Sequence, residues 1–236
     1  MKPGFIAVQI LFRYDEYIRK PKTTKEKEII VMKKLECMFY RPEKVDIEEF
    51  FEIVHKLESD LDLVCNENVP EDAVRSYARN LIALAKPLKG NPEMYFLGLD
   101  EPENMPSDAR VDFFYNPTYL GTAIIMRAVM KYPDLLKEHE NEIRGLMMGC
   151  TGRGFKGSGY GGLRGLLETL TIFAGADCDG FISKYPELCK EFSGLYMERM
   201  NSLGKWLEEG PIRGSWGEDY TERAREVVAL RRNHIK

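Results

Sequence analysis

The residues best suited to chemistry are glycines and cations that lie together between positions 149 and 165. This glycine-dense segment contains Arg153, Lys156 and Arg164 but no carboxylate. An apolar helix is predicted to follow it, so the free backbone amides of the first helical turn would face a ligand held by the loop. These amides, the helix dipole and the cations together favour a phosphate or a carboxylate. The residues that we expect to contact such an anion are Arg153, Lys156, Gly157, Ser158, Gly159, Tyr160 and Arg164.

Familiar phosphate-binding patterns do not describe this loop. Gly157, Gly159 and Gly162 match the letters of the dinucleotide fingerprint, but that motif follows a β-strand, whereas a helix is predicted here. Lys156 precedes these glycines instead of following them, so the P-loop pattern is absent as well. A structural explanation stays open, in which the glycines let two helices approach closely around Tyr160 and the cations cap backbone carbonyls.

Two further groups of residues could support the loop. Glu168 lies four residues after Arg164 on the predicted helix, so the two side chains can pair, and Glu168 could orient Arg164 toward a ligand. A second glycine-framed loop carries Arg213 and Trp216, a cation and an aromatic side chain of the kind found at ligand and protein contacts. The alternative for that loop is a tryptophan that covers the core, with Ser215 capping the terminal helix.

No catalytic or metal-binding arrangement is recognisable in the sequence. The three histidines are far apart, the five cysteines form no CxxC pair, and neither an HExxH nor an EF-hand pattern occurs. We therefore expect no metal and no cofactor, and the catalytic residues of any enzymatic activity are unknown. An enzyme built on this sequence would bind a phosphorylated or carboxylated small molecule at the glycine-rich loop and use Glu168 or Asp219 for proton transfer.

Composition limits the partners and the compartment. The chain has 236 residues and a net charge of −4, which gives no global attraction to nucleic acid or to an acidic membrane surface. No apolar run reaches the roughly 18 residues of a membrane-spanning helix. An odd number of scattered cysteines is typical of free thiols in a reducing compartment. We expect a cytoplasmic protein that contacts neither nucleic acid nor membrane, and the oligomeric state is unknown.

Helical periodicity dominates the segments that must position the loop. Apolar residues three and four positions apart predict a helix over 47–64, and another helix begins at Pro70 with an acidic first turn. Asn116 and Pro117 have the character of a cap and a first helical residue, and the helix after them is apolar on nearly every face. The segment 86–112 contains too many prolines and glycines for a long regular element and is predicted to be a long loop.

A short internal sequence repeat suggests stacked helical hairpins. Residues 131–138 are nearly repeated at 184–191, and each copy would open a helix after an apolar one, the first over 135–148. A charged terminal helix is expected over about 218–232, while residues 1–40 are undecided between helix and strand. The predicted fold class is all-α, as stacked hairpins in an α/α-toroid-like arrangement or as an irregular helical bundle.

One helical domain is expected over 1–236, or two parts over 1–90 and 113–236. The leading hypothesis is a helical protein that binds a small anionic ligand or a protein partner through the loop at 152–164. Two alternatives stay open, namely an enzyme of unknown reaction class and an inhibitor or immunity-type protein that binds its partner through an exposed patch.

Overall fold

Helices make up most of the structure. The computed structural model describes residues 47–65, 69–88, 90–97, 107–152, 162–215 and 217–234. Its helices are α1 (Ile47–Cys65), α2 (Glu71–Leu84), α3 (Ser107–Lys131), α4 (Asp134–Glu138), α5 (Glu140–Gly149), α6 (Gly162–Gly175), α7 (Cys178–Lys184), α8 (Lys190–Glu209) and α9 (Thr221–His234). Two short antiparallel strands, β1 (Lys86–Leu88) and β2 (Asn91–Phe96), lie between α2 and α3. The prediction of an all-α fold is confirmed, and the expectations for 1–40 lie outside the described residues.

The first two helices form as their apolar spacing predicts. Their buried stripes are Ile53, Val54, Leu57, Leu61 and Val64 on α1, and Val74, Tyr77, Ala78, Leu81 and Ile82 on α2. Between the stripes, the buried carboxylate of Asp60 accepts hydrogen bonds from the Tyr77 hydroxyl and from the Lys56 ammonium group. This network satisfies a carboxylate that would otherwise be costly to bury.

Helix α3 is the central element of the fold. It contacts α1, α2, α4, α5, α6, α7 and β2. Its second half is apolar on nearly every face, as expected for a helix surrounded by others. The buried residues of this half include Tyr119, Leu120, Ala123, Ile124, Ile125, Met126, Ala128 and Val129.

The start of α3 corrects the sequence prediction. The helix begins at Ser107 and runs through Pro117, so the prediction that Asn116 caps it and Pro117 opens it is wrong. A proline inside a helix removes one backbone hydrogen bond and costs about 3 kcal/mol. Burial of the apolar turns that follow Pro117 offsets this cost, and local propensity therefore does not decide where the helix begins.

The predicted loop over 86–112 differs from the structure at both ends. Its beginning forms β1 and β2, which turn at Gly90 with a φ of +92°, and its end belongs to α3. The middle, 98–106, lies outside the described residues, so a loop there stays a prediction. Strand β2 packs on α5, where Tyr95 lies over Gly145 and Gly149 and leaves no room for a Cβ at either position.

The two similar segments, 131–138 and 184–191, have related but different structures. In the first copy, Pro133 precedes the short helix α4, and a break at His139, with φ −138° and ψ 32°, separates α4 from α5. The single helix expected over 135–148 is therefore wrong. In the second copy, 185–189 forms turns before α8 begins at Lys190. Duplication of a helical hairpin stays a prediction.

Helices α6 to α9 complete the described fold. Helix α6 lies between α3 and α9, α8 contacts α9 and α5, and the short helix α7 contacts α3, α6 and α9. Buried apolar residues from α1 to α9 join in one cluster. None of the helices within the described ranges is long and apolar enough to cross a membrane.

Candidate functional site

The amino end of α6 is one of the two described ends of the predicted anion-binding segment. Gly162 opens this helix with a φ of +38°, a left-handed conformation that favours glycine. No described atom lies within 4 Å of the place that a Cβ would take at Gly162 or Gly165. Close packing against the described residues therefore does not explain these two glycines. It does explain Gly149 at the other end of the segment, where the Tyr95 carbonyl lies against the helix.

Glu168 lies between two arginines beside this helix end. Arg164 donates a hydrogen bond from Nε to Glu168 Oε1 at 2.8 Å, which is the pair expected from their spacing. Nη2 of Arg223, on α9, lies 3.8 Å from the same oxygen. The Arg164 side chain is 61% exposed, whereas that of Glu168 is 25% exposed. The cluster thus combines a partly buried carboxylate with two cations that reach solvent.

The charges of this cluster favour an anion. Two guanidinium groups and one carboxylate leave an excess positive charge, and the amino end of α6 adds the positive end of the helix dipole. Arginine presents several N–H donors in one plane, which suits carboxylate and phosphate oxygens. Because Arg164 is mostly exposed, an incoming anion could contact it without a large desolvation cost.

Most of the other predicted contact residues lie outside the described residues. These are Arg153, Lys156, Gly157, Ser158, Gly159 and Tyr160 of the glycine-rich loop, together with Trp216 of the second loop. Their role in binding stays a prediction. Of the predicted set, Arg164 and Glu168 are in contact in the structure. Arg223 of α9, which lies 55 positions after Glu168 in the chain, joins them.

Arg213 lies on a separate turn. It forms an antiparallel bridge with Asp219, and the Gly214 amide donates to the Glu218 carbonyl at 2.8 Å. Within the described part of the chain, Arg213 does not join the cluster around Glu168. Helix α9 begins at Thr221, so the prediction that Ser215 caps it is wrong.

Asp219 is poorly suited to proton transfer. Hydrogen bonds from Thr221, including its backbone amide at 2.9 Å, hold the pKa of Asp219 below its usual value. The carboxylate therefore stays ionised at neutral pH, whereas a general acid needs a raised pKa.

Three buried cysteines are not available as nucleophiles. Cys150, Cys178 and Cys189 are free and buried. Burial raises the pKa of Cys150 and of Cys189 to about 12 and raises that of Cys178 well above its usual value. A thiol must ionise to attack, so these residues are packing groups in the folded protein. No group of three or more His, Cys, Asp or Glu side chains in the described ranges could hold a metal ion.

Helix α9 carries the functional candidates that sequence reasoning missed. Its arginines face different neighbours: Arg223 faces Glu168, while Arg231 forms a forked pair with Asp179 of α7. Arg225 and Arg232 line a surface groove beside α8. The charged character of this helix was visible in the sequence, but helical periodicity alone could not assign a neighbour to each arginine.

No protein-family model, curated protein or solved structure matches this chain.

Proposed function

We propose that this protein binds an anionic group of a small ligand or of a partner protein at the amino end of α6. The observation that carries the proposal is the cluster in which Arg164 and Arg223 lie on either side of Glu168. Gly162 and Gly165 leave the surface beside it open to a ligand, as far as the described residues extend. The other cations and glycines of the loop at 152–164 are expected to complete the site.

A phosphate or a carboxylate is the expected ligand group. Either one would take hydrogen bonds from the two arginines and the first amides of α6, and it would compete with Glu168 for Arg164. Binding is proposed ahead of an enzymatic role, because three of the cysteines are buried thiols and Asp219, one of the two carboxylates expected to transfer a proton, has a lowered pKa. The free thiols of Cys150, Cys178 and Cys189 favour a cytoplasmic location.

The proposal can be tested by thermal unfolding with a panel of phosphate, pyrophosphate, nucleotides, sugar phosphates and short carboxylates. A ligand present at 100 times its dissociation constant should stabilise the protein by about 2.7 kcal/mol. Arg164→Gln should weaken binding of the active compound, because one of the two cations is lost. Glu168→Gln should strengthen it, because the competing carboxylate is removed and both arginines remain.

Lys205→Gln is the matched control, since it removes one exposed cation from α8 and leaves α6 unchanged. Equal effects of Arg164→Gln and Lys205→Gln would indicate attraction by net charge alone and would contradict a site at α6. A panel in which no compound binds would contradict a small-molecule site there.

A further inference from the structure

A groove lies on the surface between the end of α8 and the outer face of α9. Its volume is about 300 Å³. The residues that line it are Leu207 from α8 and Arg225, Val228, Ala229, Arg232 and Asn233 from α9. It is therefore distinct from the cluster at the amino end of α6, to which α9 contributes Arg223.

The lining has a regular order along α9. Its five positions follow spacings of three and four residues, which places them on one face of the helix. Val228 and Ala229 form an apolar floor together with Leu207, and Arg225 and Arg232 stand at the two ends. Arg232 lies seven positions after Arg225, so the backbones of the two arginines are about 10 Å apart along the helix axis. The groove thus has an apolar middle and cationic ends.

The cations in the groove are accessible to a ligand. No carboxylate lines the groove. Arg225 pairs with Glu222 at 3.2 Å, but both side chains are mostly exposed, at 65% and 77%, so this pair is weak and exchangeable. No ion pair joins Arg232 to another residue in the described ranges, and its side chain is exposed. Arg232 is therefore the better anchor for an anion.

We propose that this groove binds an amphiphilic organic anion, namely a carboxylate on a medium-length hydrocarbon chain. The carboxylate would accept hydrogen bonds from the Arg232 guanidinium and from the Asn233 side-chain amide. The chain would lie over Leu207, Val228 and Ala229, where it removes apolar surface from water. A volume of about 300 Å³ is at the lower end for small-molecule sites, which favours a slender ligand over a polycyclic one.

Octanoate is the probe for the experiment, and NMR of the protein labelled at its Leu, Val and Ala methyl groups is the measurement. Octanoate should bind saturably and shift the methyl signals of Leu207, Val228 and Ala229. Octanol, which lacks the charge, should bind at least about tenfold more weakly. Acetate, which lacks the chain, should leave these methyl signals unchanged.

Three variants separate the groove from general charge effects. Arg232→Gln should weaken octanoate binding by about tenfold, because a charge-assisted contact is lost. Ala229→Phe should abolish it by filling the floor. Lys205→Gln removes a cation from α8 outside the groove and should leave the affinity unchanged. Thermal unfolding of each variant, which should match the parent protein, shows that the fold is retained.

Three results would overturn the inference. They are the absence of saturable binding, equal affinities for octanoate and octanol, and equal losses in Arg232→Gln and Lys205→Gln. Arg164→Gln, which affects the α6 cluster, should leave octanoate binding unchanged. The two proposals can therefore fail separately, because the groove depends on Arg232 and the site at α6 depends on Arg164.

Discussion

At the scale of single residues, burial decides which groups keep their ordinary chemistry. The side chains of Arg164 and Arg232 are exposed to solvent, whereas the thiols of Cys150, Cys178 and Cys189 are buried. Burial removes the hydration of a thiolate, so ionisation is disfavoured, and at Cys189 this effect outweighs the opposite effect of Arg144 on the pKa. Residue type in the sequence therefore indicates potential chemistry, and the surroundings of the residue decide whether that chemistry is available.

Alkylation of the native protein tests this view of the thiols. At pH 8, iodoacetamide should label Cys150, Cys178 and Cys189 only when the protein opens, because burial closes them to the reagent and raises their pKa values. Peptide mass spectrometry should show labelling at least about a thousandfold slower than in denaturing urea, in line with the small unfolded fraction of a stable domain. Rapid labelling of any of the three in the native protein would contradict their assignment as packing groups.

At the scale of elements, the hairpin of β1 and β2 depends on glycine in α5. Tyr95 of β2 lies on the surface of α5 that Gly145 and Gly149 leave open. A strand can approach a helix this closely only where the helix has no side chain. These glycines therefore join the two elements, although inside a helix each of them is less favourable than alanine.

Alanine substitutions at four helical glycines should distinguish the effect of close packing on stability from the effect of helix propensity. Gly145→Ala and Gly149→Ala should each lower the free energy of unfolding by about 1–3 kcal/mol through overpacking. The loss should be larger at Gly149, because its Cβ would meet the Tyr95 backbone carbonyl, which cannot rotate away as a side chain can. Urea unfolding at equilibrium is the measurement.

Gly194→Ala and Gly204→Ala provide the matched controls in α8. No described atom lies within 4 Å of a Cβ at either position, so both should gain about 0.5–1 kcal/mol from helix propensity. If Gly149→Ala were as stabilising as these controls, the close contact between β2 and α5 would be wrong.

Local elements were the most predictable part of the fold. The helix expected over 47–64 is α1, and the stripe that begins at Val74 is buried on α2, because periodicity is a property of neighbouring residues. The start of α3 was not predictable in the same way. Its passage through Pro117 depends on burial among several other helices, which outweighs the local preference.

At the scale of the whole molecule, a polar cluster around Asp179 holds the terminal helix α9 against α7 and α8. Arg231 of α9 donates to both carboxylate oxygens of Asp179 on α7, at 2.9 and 3.1 Å. Tyr196 of α8 donates its hydroxyl to the same carboxylate at 3.2 Å. The consecutive helices α7, α8 and α9 thus meet at Asp179, and the position of α9 brings Arg223 to Glu168.

Arg231→Gln should loosen α9 more than any other part of the protein. The forked pair is only partly exposed, so its loss should lower the free energy of unfolding by about 1–3 kcal/mol. Hydrogen exchange followed by mass spectrometry should show faster exchange over 221–234. Arg225→Gln is the control, because its pair with Glu222 is exposed and its loss should change stability by no more than about 0.5 kcal/mol. Equal stability losses in Arg231→Gln and Arg225→Gln would contradict the view that the Asp179 cluster holds α9 in place.

The sequence by itself determined that the chain is helical, and it predicted the pairing of Arg164 with Glu168. Both depend on residues within one or two helical turns of each other, where backbone geometry sets the distances. Only the tertiary structure decided that Arg223 joins this pair, that Arg231 meets Asp179 and that Arg225 and Arg232 line a groove. Such contacts form when burial of apolar surface brings distant helices together, and the partners of their polar side chains follow from that packing.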